Sequence, residues 1–136
     1  MPDSKLILSW RTPSIAAGTD ATEYIYFGET VGYTITGIKY MPSTTVAADN
    51  TDYRIITLTA NSQAIVAVDS RSASLNGWTA GTVKDLTLAS DTAAKIAARD
   101  LATGDAITVA LTHGGSGKAF HGEIQFYGVP NQIVVP

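Results

Sequence analysis

Both histidines of the chain, a glycine-rich run and a Gly-Lys pair fall within one stretch, LTHGGSGKAFHGEIQF, residues 111–126. Residues of these types make three kinds of chemistry: a phosphate-binding loop, a metal site, or no chemistry at all, only a turn. A phosphate loop of the Walker type needs a glycine, four further residues, then Gly-Lys and a hydroxyl that ligates magnesium. Counted back from Gly117-Lys118 the first position is Thr112, and the hydroxyl position is Ala119. Both ends fail. The loop must also open a helix whose amides face the anion, whereas the residues after Lys118 alternate as a strand.

The same alternation bears on the histidines. Ile107, Val109 and Leu111 share one phase, which His113 continues, while His121 lies in the phase opposite Phe120 and Ile124. Read as two strands, Asp105 to Thr112 and Ala119 to Tyr127, joined by the Gly114–Gly117 turn, the segment is a hairpin whose histidines point to opposite faces. They do not share a metal on that reading.

Other constellations are equally bare. Asp49 and Asp52 in "DNTD" stand at i and i+3 but lack the spacing of a calcium loop, so the pattern predicts side-chain capping of a turn. Asp69 to Ser72, "DSRS", sets serines near an acid with no histidine beside them and no nucleophile elbow. Glu23, Glu29 and Glu123 have no spacing that implies the shared cleft of a glycosidase. With no cysteine in the chain, thiolate metal sites and cysteine nucleophiles do not arise. The sequence therefore predicts no catalytic residue, no cofactor and no metal: not an enzyme.

The elements that would position these residues are strands. The 136 residues are 45% hydrophobic and 15% charged, enough for one core. The net charge of −3, with scattered Lys and Arg, argues against a nucleic-acid partner. No apolar run is long enough to predict a membrane span, and no basic-then-apolar leader precedes Trp10. Short runs of strand formers recur at intervals of roughly ten residues. About eight strands are predicted, in a single-domain antiparallel β-sandwich, jelly-roll-like, spanning 1–136. Leu6, Leu8 and Trp10 alternate, as do Arg54, Ile56 and Leu58. Val31, Tyr33 and Ile35 give way to Ile38 and Tyr40 in the other phase, which predicts a β-bulge or a strand bend at Gly37. "SDTAAKIAARDLATG" reads either as a short helix near 91–101, with Ser90 or Asp91 as N-cap and Gly104 as its stop, or as an extended crossover. Trp78, within "NGWTAG", is expected on the sandwich rim or against a partner.

The segments "YTITGIKYMPSTTVAADNTDYRIITLTA", "SLNGWTAGTVKDLTLA" and "LATGDAITVALTHGGSGKAFHGEIQFYGVP" together resemble the β-sandwich capsid decoration, or cement, proteins of tailed bacteriophages. The resemblance implies a non-enzymatic virion protein, made in the host cytoplasm, that binds the major capsid protein on the outer capsid surface and assembles with itself, as a trimer. A carbohydrate- or receptor-binding module of a fibre or tail is the rival, and it requires an exposed aromatic platform. After Gly128 the alternation stops, and the segment 129–136 carries Ile133, Val134 and Val135 with no charge. Apolar surface of that kind is costly to leave wet, so these residues, with Trp78, are the expected interface, and a neighbouring copy is the expected receptor.

Overall fold

A computed structural model describes residues 4–27, 32–71 and 77–131. The segments 28–31 and 72–76 and both ends, including Ile133, Val134 and Val135, lie outside the described residues. In chain order the elements are β1 (Lys5–Arg11), β2 (Ala21–Tyr26), β3 (Tyr33–Pro42), β4 (Tyr53–Ala60), β5 (Gln63–Asp69), β6 (Lys84–Leu86), α1 (Ala93–Ala97), β7 (Asp100–Leu101), β8 (Ala106–Gly114) and β9 (Gly122–Pro130). One sheet runs β1-β9-β3-β6, with β7 also on β3, and the other runs β2-β8-β4-β5. Every pairing is antiparallel. With the two-residue β7 set aside, the chain crosses repeatedly between two four-stranded sheets in the double Greek-key order of a jelly roll.

Alternation builds the core. Ile56 and Leu58 of β4, Ile107, Val109 and Leu111 of β8, and Ile124 and Phe126 of β9 are all fully buried between the sheets. Asn61 and Ser62 both take positive φ, 48° and 65°, the geometry of a two-residue turn whose twist suits a hairpin, and they join β4 to β5. The register of β3 against β9 shifts between Ile35 and Gly37, so the parity change is a bulge, as expected.

Four expectations change. The strands either side of the glycine run are not a hairpin: β8 pairs with β2 and β4, β9 with β1 and β3, and residues 115–121 cross from one sheet to the other. Gly115 and Gly117 do hold positive φ, 60° and 69°, but the tight turn they permit redirects the chain across the sandwich. The short helix holds over the extended crossover, but its cap and its stop are not the expected ones. Thr92 is its N-cap, accepting from Lys95 N, and the chain leaves it to pair Asp100 and Leu101 with Thr34 and Tyr33. Gly104 then serves a turn into β8. At the start of the chain, β1 slips register between Leu6 and Leu8, leaving Leu6 half-exposed while Leu8 and Trp10 pack on the core.

Trp78 is the fourth. It is 1% exposed, paired through its backbone with Val46, and its ring meets Tyr40 at 5.5 Å and Phe120 at 5.8 Å, both edge-on. Gly77, at φ 81° and against the backbone of Val46 and Ala48, lets the loop turn inward there. A ring so buried is not an interface residue. Burial also drives the Tyr40 hydroxyl above its ordinary pKa.

Candidate functional site: a braced end and a neutral face

The residues that looked chemical in the sequence gather at one end of the sandwich, around Arg54. Its side chain is fully buried in an otherwise apolar phase of β4. The guanidinium donates to the carbonyls of Lys118 (2.5 Å), Thr19 (2.6 Å) and Ala16 (2.6 Å) and lies 3.8 Å from Asp20 Oδ1. A planar fork of five donors suits several carbonyls converging from different loops. Burial lowers its pKa and the Asp20 carboxylate opposes that shift, but the cation persists because its ordinary value lies far above neutral.

The neighbouring polar groups brace the same loops. His113 Nδ1 and Asp20 Oδ1 are 2.6 Å apart, tying β8 to the loop before β2. Asp49 Oδ1 accepts from Thr51 N (2.7 Å) and Asp52 N (3.1 Å), the capped turn expected of "DNTD". These backbone donors, with Lys118 beyond them, hold the Asp49 carboxyl below its ordinary pKa. Asp52 Oδ1 accepts from Ser116 N (2.7 Å), and Lys118 Nζ stands 3.4 Å from Asp49 Oδ2. Among the described residues no helix opens after Lys118, so the Gly-Lys pair stitches loops together. Ser70 of "DSRS" is fully buried, its hydroxyl accepting from Arg54 N at 3.0 Å. His121 ends the crossover just before β9, outside both sheets, its carbonyl accepting from Ser43 N. Among the described residues no three His, Asp or Glu side chains converge on a point that would hold a metal.

The two outer faces of the sandwich differ sharply in chemistry. On the β1-β9-β3 side, the pleat turns Arg11, Glu123, Gln125, Tyr127 and Lys39 outward. These groups answer one another. Gln125 donates to Glu123 at 3.2 Å, Tyr127 donates to Gln125 at 3.2 Å, and Lys39 lies 5.4 Å from the Tyr127 ring centre and 3.9 Å from Asp85. A depression of about 690 Å³ beside Lys39 is shared with Arg99, whose Nη2 donates to Ala89 O at 2.7 Å.

The face of β2-β8-β4 is neutral apart from its β5 corner, where Arg71 lies over Tyr53 and pairs with Asp69 beside Ile55. Tyr24 lies opposite Thr108, Tyr26 opposite Ala106 and Thr22 opposite Ala110; across β8, Thr57, Thr59 and Ile55 continue the rows. None of these side chains carries charge. Tyr24 is 64% and Tyr26 69% exposed. The other four tyrosines are engaged: Tyr33 packs on the core, Tyr40 stacks on Phe120, Tyr53 lies beneath Arg71, and Tyr127 holds Gln125. The sequence reading passed over Tyr24 and Tyr26. Two tyrosines at i and i+2 in a strand with one buried residue between them were the available signal, but only the register shows what lies beside them.

Compared with known protein families, with curated proteins and with solved structures, the chain matches none.

Proposed function

We propose that the protein is a non-enzymatic structural component of a tailed-phage virion, a decoration or cement protein that is made in the host cytoplasm, docks on the major capsid protein at the outer capsid surface and assembles with copies of itself. The observation that carries this reading is the neutral outer face of the β2-β8-β4 sheet. A broad face whose central residues carry no charge, and whose exposed hydroxyls and aromatic rings find no partner among the described residues, has the composition of a contact patch more than that of a solvated surface. The jelly roll supports the reading by analogy alone, since viral capsid proteins, lectins and cupins all use it and a fold does not determine a function. The polar groups that a hydrolase or nucleotide-binding protein would need are instead bonded to loop backbone around Arg54.

The test is a density gradient of lysate from cells in which the phage and this chain are produced together. The chain is expected to band with filled particles and to protect them against heat or chelation; a chain found only at the top of the gradient refutes the reading. The exposed pair Tyr24 and Tyr26 favours a second reading, a carbohydrate-binding module, because aromatic rings are the usual sugar platform. Binding on a glycan array that is lost in the double variant Tyr24→Ser/Tyr26→Ser would select it.

A further inference from the structure

A β-sandwich has four sheet edges, each a row of unpaired backbone groups that would template another strand unless blunted. In this molecule three are blunted. The β1 edge carries Lys5 and Arg11 and is bulged between Leu6 and Leu8. The opposite edge of that sheet is broken into two pieces, β6 with three residues and β7 with two. On the other sheet, the β5 edge is covered: Ala89 N donates to Ile65 O at 2.8 Å, and Asn61 Nδ2 donates to the carbonyls of Ala98 and Asp100 just after α1. The β2 edge is the least blunted: it carries one charge, Glu23, and is neither bulged, broken nor covered among the described residues. Its six residues, ATEYIY, stay in unbroken register with β8, contain no Lys, Arg or Pro, and pair with no other strand among the described residues. It is also the edge that carries the two free tyrosines.

We infer that the β2 edge is an assembly surface, and that its occupant is β2 of a second copy, paired antiparallel about a twofold axis at Tyr24. The sequence of the strand is self-complementary in that register. Tyr24 meets the partner subunit's Tyr24, and Thr22 meets the partner subunit's Tyr26, so aromatic rings pair across the neutral face. On the opposite side Glu23 faces the partner subunit's Ile25 and never its own equivalent. A register centred on Glu23 would oppose two carboxylates and is disfavoured. An isologous contact of this kind closes at two copies, an arrangement different from the trimer that the family resemblance implies. It joins two four-stranded sheets into one of eight strands and lays two neutral faces side by side. The inference does not rest on the virion reading: capsid binding and pairing through β2 can each fail alone.

The cysteine-free chain allows a direct test. By light scattering the intact chain is expected to have twice the chain mass at high micromolar concentration, and Tyr24→Lys, which places two like charges on the axis, is expected to weaken the dimer at least tenfold with thermal unfolding of the diluted protein unchanged. On mild oxidation Tyr24→Cys should cross-link the two copies, whereas Thr57→Cys, two strands inward on the same face, should not. A chain monomeric at every concentration, a trimer, a dimer indifferent to Tyr24→Lys, or cross-linking as ready from Thr57→Cys would each overturn the inference.

Discussion

At the Arg54 end of the sandwich the polar side chains answer groups of the same chain, while the tyrosines and threonines of the neutral face answer none among the described residues. The contrast inverts what the residue types suggest. His113, the glycines and Gly-Lys mark the region that holds the loops in place, and a field of Thr, Ala and Tyr is left with free surface. Under the proposed function, the reactive residue types mark the braced end, and association belongs to the neutral face. Substitutions at the braced end should act on stability, and those on the neutral face on association.

The largest effect is expected at Arg54. Removing it takes the charged donor from the carbonyls of Thr19 and Lys118 and one of two donors from Ala16, which also accepts from Thr19 N, and a hydrogen bond to a charged group is worth about 1.5–3 kcal/mol. Urea unfolding of Arg54→Met should show a loss on that scale. Arg54→Lys should recover little of it, because an ammonium cannot fork to three separate carbonyls. A loss within experimental error would remove the brace from the comparison.

Glycine substitutions come next and separate space from backbone strain. At Gly115, φ is +60° and a Cβ would overlap the Thr51 carbonyl and the Asp52 carboxylate; at Gly81, φ is +78° and nothing lies nearby. Left-handed backbone alone costs a non-glycine residue about 1–2 kcal/mol. Gly81→Ala should lose about that much by thermal unfolding, and Gly115→Ala clearly more. Equal losses would mean that the 115–121 crossover is looser than its hydrogen bonds indicate.

A smaller effect follows from Asp49. Its carboxyl titrates below the ordinary value in the folded chain because Thr51 N and Asp52 N donate to it. A group whose folded pKa is depressed contributes its stability above its unfolded pKa and loses it as pH falls through the folded value. The contribution is therefore complete at neutral pH and disappears only in acid, below the ordinary carboxylate range. Asp49→Asn keeps an oxygen that accepts both amides but does not titrate, so its stability-against-pH curve should fall less steeply at the acid end. Parallel curves would exclude Asp49 from the acid response.

What the sequence made legible follows from how local each feature is. Alternation in β4, β8 and β9, the irregularity at Gly37 and the Asp49 cap are all decided by residues within a few positions of one another. The crossover of 115–121 was not legible, since alternating strands around a glycine run look alike whether they pair with each other or with different sheets. Arg54 left a clue, a cation in the inward phase with Ile56 and Leu58, but its partners lie near residues 16, 19 and 118. Trp78 misled because its turn-forming neighbours suggest exposure, whereas Gly77 folds the ring into the Tyr40-Phe120 cluster. The neutral face was invisible for the same reason: it is assembled by register from strands far apart in sequence.

The smallest effect on stability should accompany the largest on association. Thr108 sits in the middle strand pair of the neutral face, opposite Tyr24 on one side and Thr59 on the other. Its side chain points away from the core residues Ile107 and Val109, so a lysine there can reach water without displacing packing. Surface substitutions of this kind usually change stability by no more than about 0.5 kcal/mol. Yet a contact patch that excludes water must desolvate that ammonium, a penalty that an uncharged partner surface does not offset. Ser9→Lys, on the charged face opposite Gln125, is the matched control, since a further charge there joins groups already solvated. Thr108→Lys is expected to melt like the parent and to be lost from particles in the density gradient, with Ser9→Lys retained. If both variants stay bound, the neutral face is not the docking surface; if Ser9→Lys alone is lost, the assignment of the two faces is reversed.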